Sequence, residues 1–136
     1  MLAMDRTYLE SVGVRIEEIT SIKPINGQTF THYTIRNERG FPNPEITPVI
    51  DEASSYYHAS IEAPPVLAIC GDGDPQDRIE ENHYMTALLK KVGHPDAEYR
   101  EMNDRTHWTL ITMIPNHDDP VTEAILTFVA KHVLSD

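Results

Sequence analysis

The chain has 136 residues, 40% of them hydrophobic, which is enough for one core and so for one domain or one piece of a domain. Its 11 Lys and Arg against 22 Asp and Glu give 11 − 22 = −11 at pH 7, with no basic run, which argues against nucleic acid or an anionic membrane surface as a partner. The longest apolar stretch is a handful of residues, and the first residues lack the basic flank and apolar core of an export signal, so a soluble, cytoplasmic chain is expected. The one cysteine, Cys70, ends an apolar run and reads as a buried free thiol.

In chain order, residues 2–5 carry no cap or turn signal, as though the chain begins inside a helix. Tyr8 to Val12 reads as a short helical turn closed by Gly13. Ile19 to Ile25 is rich in β-branched residues and ends at Asn26-Gly27, so it reads as a strand followed by a turn. Residues 28–64 lose all periodicity, with Pro, Asn, Gly and paired tyrosines, and at most a short helix from Glu52 to Tyr57. A stretch this long without regular structure suggests a lid or pocket wall, or else a disordered segment.

Pro65 to Cys70 is apolar at every position after the proline, the pattern of a strand buried on both faces of a parallel sheet. A polar loop, Gly71 to Asp77, follows. Helical spacing then joins Ile79, Tyr84, Met85, Leu88, Leu89 and Val92, with Gly93 and Pro95 as the stop. Ala97 to Met102 alternates like a half-exposed strand. Asp119-Pro120 supplies a cap and first-turn proline for a last helix with an inner face of Val121, Ile125, Phe128, Val129 and Val133. The order is that of an α/β fold, about three parallel strands flanked by helices with right-handed crossovers.

Reactive groups in such sheets collect just past the carboxyl ends of the strands, here in Gly71 to Asp77 and Asn103 to Trp108. The first loop holds Asp72, Asp74 and Asp77; the second holds Asp104 and His107. Parallel neighbouring strands lie roughly 5 Å apart, so an aspartate of one loop can stand against the histidine of the other. Carboxylate and imidazole are the second and third members of a nucleophilic triad. On spacing alone an acidic loop is also a solvated turn, and which aspartate serves stays open.

The segment Gly71-Asp-Gly-Asp74, with the apolar run before it and Glu81-Asn82 and Gly93-His-Pro-Asp96 after it, is similar to the acid-bearing loop of α/β-hydrolase esterases and the related arylformamidases. Arg105-Thr-His107-Trp-Thr-Leu-Ile, followed by Asp118 to Leu126, resembles their histidine loop and final helix. Ile25 to His32, with Pro48 to Ser54, resembles the strand and pocket segment of the same branch. The resemblance implies Asp74 as the acid, three residues past the strand glycine, and His107 as the base. Trp108 becomes a candidate lining for the acyl or leaving-group pocket, with plain packing as the alternative, and His32 poses the same choice.

The sequence departs from the family at the nucleophile. No G-x-S-x-G elbow surrounds Ser11, Ser21, Ser54, Ser55, Ser60 or Ser135, and the oxyanion-loop glycines are missing. The resemblance therefore implies a single partial domain, the C-terminal part of an α/β-hydrolase acting on carboxylic esters, whose start falls inside the elbow's helix. Alone it is expected to be inert. Its partners would be a small-molecule ester in the complete enzyme, and either a second copy or the N-terminal half of the hydrolase beside the strand at Ile19 to Ile25. The rival reading is a non-catalytic module acting through self-association or a partner chain. No cofactor is implied, and the histidines show no zinc spacing.

Overall fold

The computed structural model describes residues 3–133. Five α-helices, a short 3-10 helix (Ile16–Glu18) between the first two of them, and two strands appear in it, in the order α1 (Arg6–Glu10), α2 (Tyr33–Glu38), β1 (Val66–Gly73), α3 (Gln76–Lys91), β2 (Ala97–Thr106), α4 (Thr109–Thr112) and α5 (Pro120–Val133). β1 and β2 pair in parallel, with Val66 opposite Ala97 and Gly71 opposite Met102.

Side chains along β1 alternate between two cores, which is why its apolar run is continuous. Leu67 and Ile69 pack with Met102, Leu110, Val121, Ala124 and Phe128, the face covered by α4 and α5. Val66 packs with Met85, Leu89 and Ala97, the face covered by α3. Leu67, Ile69 and Cys70 are wholly buried, and each aliphatic side chain taken from water in this way contributes about 1.5–3 kcal/mol. The result is the α/β architecture with a parallel sheet between helices. Among the described residues no helix is long and apolar enough to cross a membrane.

Several expectations need correction. The third strand is reduced to two parallel bridges, Ile22 to Val66 and Ile25 to Ile69, on the side of β1 away from β2. The hydrogen bonds Ile22 N–H to Pro65 and Leu67 N–H to Ile22 are present, as are Ile69 N–H to Pro24 and Asn26 N–H to Ile69. Pro24 has no N–H to give back to β1, so the ladder is interrupted at its middle. The N-terminal helix begins earlier than Tyr8, because Asp5 caps it by accepting from Thr7 N–H at 3.0 Å. Residues 3–5, expected to continue a helix interrupted by the chain start, instead form a turn and the cap of α1, while Met1 and Leu2 lie outside the described residues.

Residues 52–57 form turns, and the helix of this region is instead α2. On α3 the apolar stripe is narrower than its spacing implies: Tyr84 and Val92 are exposed, while Glu81, Asn82 and Thr86 are buried. Those polar groups are spent on the chain that crosses the helix. Glu81 Oε2 accepts from the N–H of Thr29 at 2.9 Å and of Phe30 at 3.2 Å, and Asn82 Nδ2 donates to the Gly27 carbonyl at 2.7 Å. On α5, Val121, Ala124 and Phe128 are buried and Val133 is exposed.

Candidate active site

The carboxyl ends of the two strands are not simple loops. β1 continues through Gly73 and β2 through Thr106, and between the pairs Gly71–Met102 and Gly73–Thr106 β1 advances 73 − 71 = 2 residues while β2 advances 106 − 102 = 4. The surplus of two is absorbed where Asp104 takes a φ of 56°, a left-handed conformation that aspartate tolerates better than most residues. The carboxylate of Asp72 fastens this bulge, accepting from the N–H groups of Asp104 and Arg105, both at 3.0 Å. Those two backbone bonds hold the Asp72 carboxyl below its ordinary value of 3.8.

The bulge delivers His107 to Asp74. The Nδ1 of His107 lies 2.8 Å from Asp74 Oδ1, with the Asp74 side chain fully buried and that of His107 43% exposed. The other carboxylate oxygen, Oδ2, accepts from Gly71 N–H at 2.7 Å. Gly71 is needed here: a Cβ at this position would collide with the Arg105 carbonyl of the paired strand. Because a carboxylate only accepts, Nδ1 carries the proton and Nε2 is left with its lone pair, the tautomer a general base needs. Among the described residues Nε2 makes no hydrogen bond.

The structure separates the three aspartates of the acidic loop. Asp74 meets the histidine, Asp72 grips the backbone of the histidine loop, and Asp77 is an exposed first-turn residue of α3. Trp108 stands edge-on to His107, with ring centroids 5.8 Å apart, and is 73% exposed. His32 is not brought to this pair. It caps α2, its Nδ1 accepting from Thr34 N–H at 3.2 Å, and its ring lies against Tyr33.

Three supports were not legible from residue type. Asn26, buried and left-handed at φ 54°, donates from Nδ2 to the His107 carbonyl at 2.7 Å across 81 residues of sequence. It joins the end of the broken third strand to the histidine loop; the Asn-Gly pair signalled a turn but not the reach. Arg105 Nη2 pairs with Asp119 Oδ2 at 2.7 Å, both side chains being largely buried, and Asp119 Oδ1 in turn accepts from Val121 N–H at the start of α5. Thr106 and Thr109 bind each other's backbone N–H around the histidine, at 2.7 and 3.3 Å, and so close the turn into α4. Beneath the site, burial pushes the Cys70 thiol up to about 12, with the Asp74 charge adding to it.

Residues 21–136, nearly the whole chain, match the prolyl oligopeptidase family. The chain belongs to that family. It is therefore a serine-hydrolase-like module of the α/β-hydrolase kind, as the site loops imply. Among solved structures it is similar to Thermogutta terrifontis esterase 2 phosphoramylated by tabun, at 15% identity and a TM-score of 0.58. That likeness concerns the fold; it covers 88% of this chain and 42% of the esterase, so the chain spans less than half of that relative's length. No curated protein matches the chain. Among the described residues no group of His, Cys, Asp and Glu is arranged to hold a metal ion.

Proposed function

We propose that this chain supplies the acid and base of a serine hydrolase of carboxylic esters, with Asp74 orienting His107 and the nucleophile coming from sequence outside these residues. The observation that carries the reading is the 2.8 Å bond between a fully buried carboxylate and Nδ1 of a half-exposed imidazole. In this role Nε2 of His107 takes the proton of the attacking hydroxyl and later returns it to the leaving group, while Asp74 steadies the imidazolium. Asn26 and Asp72 are positioning residues, acting through the backbone of the histidine loop. Trp108, edge-on to the imidazole, is the candidate contact for a leaving group. The solved relative being an esterase favours the ester, and the family's description favours a peptide bond as the second reading.

The partner follows from the same reading. Among the described residues no strand pairs with residues 22–25 on the side away from β1. The N-terminal half of the hydrolase, or a second copy of the chain, would satisfy those backbone groups.

The kinetic test uses p-nitrophenyl acetate. The chain alone should turn it over no faster than a His107→Ala variant, since the pair lacks an attacking group and oxyanion donors. Supplying the nucleophile-bearing segment should give turnover that His107→Ala and Asp74→Asn abolish, and matched ester and anilide substrates then decide the bond. Saturable turnover by the chain alone, lost on replacing one of its own serines, would overturn the reading.

A further inference from the structure

The sheet has two free margins, and they are not alike. On one side residues 22–25 are interrupted by Pro24. On the other, β2 runs for 10 residues without proline or glycine, and among the described residues no strand pairs with it on the side away from β1. The ladder fixes which of its backbone groups are free. Val66, opposite Ala97, donates its N–H to the Asp96 carbonyl, so Glu98 and Arg100 turn their N–H and C=O groups toward β1, while Ala97, Tyr99 and Glu101 turn theirs outward. This regular edge lasts from Ala97 to Met102; beyond it the bulge, with Asp104 left-handed at φ 56°, ends it.

An exposed edge of this kind templates another strand unless its side chains oppose it. A second copy adds antiparallel about a two-fold axis, so the choice of central residue fixes every cross-strand pair. The charges along β2 discriminate sharply among those choices. Centring on Glu98, Arg100 or Glu101 sets that residue against its own charge, and centring on Ala97 sets Asp96 against Glu98. Centring on Met102 runs the pairing into the bulge. Centring on Tyr99 sets Glu98 opposite Arg100 of the second copy on both sides of the axis, Tyr99 opposite Tyr99, and Ala97 opposite Glu101. Glu98 and Arg100 share one face of the strand, 3.6 Å apart and both partly exposed, so they can reach the second copy without rearranging the strand.

We propose that the free edge of β2 is a self-association surface, on which a second copy of this chain adds antiparallel with Tyr99 on the two-fold axis, making a four-stranded sheet. The axis sends the carboxyl ends of the two β2 strands in opposite directions, so the two His107 side chains lie at opposite ends of the dimer and neither completes the other's site. The association needs neither the nucleophile nor the Asp74–His107 pair, and it is distinct from any partner beside residues 22–25.

One strand pair is a small interface, so dissociation in the micromolar range is expected, and sedimentation equilibrium of the chain over roughly 1–100 µM is the measurement. Salt at about 0.15 M screens the overall charge of −11 beyond roughly 8 Å. The expected result is a monomer–dimer equilibrium. Arg100→Glu and Glu98→Arg should each weaken it by about tenfold, since two attractive cross-strand pairs become repulsive, and the two together should restore it. In the unaltered chain, amide hydrogen exchange at Tyr99 and Glu101 should slow as the concentration rises, while that at Arg100 stays as it is. A monomer throughout the range, single reversals without effect, a double variant as weak as the singles, or a dimer whose concentration-dependent protection falls on residues 22–25 alone would overturn the proposal.

Discussion

The carboxyl ends of β1 and β2 and the segment 28–64 are both irregular and both rich in polar side chains, yet they are built in opposite ways. At the strand ends every support converges on one imidazole: Asp72 on the backbone before it, Asp74 on its ring, Asn26 on its carbonyl, and Arg105 tied to α5. The segment 28–64 is held from outside by Glu81 of α3, with Asn82 fastening Gly27 just before it, and internally by the Thr31–Asp51 and Arg39–Asp51 contacts at 2.6 and 2.7 Å. It leaves the Nε of Arg36 and Oε1 of Gln28 buried without partners. The strand ends are not free of such atoms either, since Asn26 Oδ1 and Arg105 Nε are also buried without partners, so the two regions differ in where their bonds converge and not in how completely they are paired.

The comparison breaks most severely at Arg105. An Arg105→Ala change leaves Asp119 buried without its cation and is expected to cost about 3–5 kcal/mol, seen as a lower urea midpoint with an unchanged slope. A loss below 1 kcal/mol would mean that the helix-capping bonds of Asp119 suffice without the arginine.

A smaller and more local effect is expected at Glu81. Glu81→Ala strands the N–H groups of Thr29 and Phe30, at about 1–3 kcal/mol for buried donors. Native-state hydrogen exchange should then quicken at Thr29 and Phe30 while Leu67 and Ile69 keep their protection. Equal losses in both places would show that the two regions open as one unit.

The smallest effect is a pH dependence. Asp72 has its carboxyl lowered by the bonds from Asp104 and Arg105, so its contribution to stability is present above the ordinary value of 3.8 and fades as the pH falls through the lower folded value. Replacing Asp72 by Asn should flatten that part of the acid side of the stability curve. An identical curve in the variant would show that the bulge is held without the charge.

The sequence speaks clearly where periodicity is strong and falls silent where contacts are remote. β1, α3, β2 and α5 follow from apolar patterning and from Asp119-Pro120, because each needs only a buried stripe and a local cap. α2 escapes notice because its cap is a histidine ring and its interior carries β-branched Thr34 and Ile35. The third strand is correct in place but not in form, since one proline removes one rung. Asp74 and His107 are marked by their loops and meet in the structure. The Asn26 clamp and the polar face of α3 depend on pairings 81 and 52 residues apart, which no local pattern records. Asp72 looks like a spare acid in the sequence and proves to be the brace of the bulge.

Cys70 gives the protein a built-in reporter. It is the only thiol, wholly buried in the middle strand, and ionises far above neutrality. A soluble alkylating reagent can therefore reach it only when the sheet parts from its helices, and the labelling rate counts those openings directly beneath Asp74. The interval between openings, read from one covalent mark, measures how long the acid and its histidine stay assembled before the strands beneath them come apart.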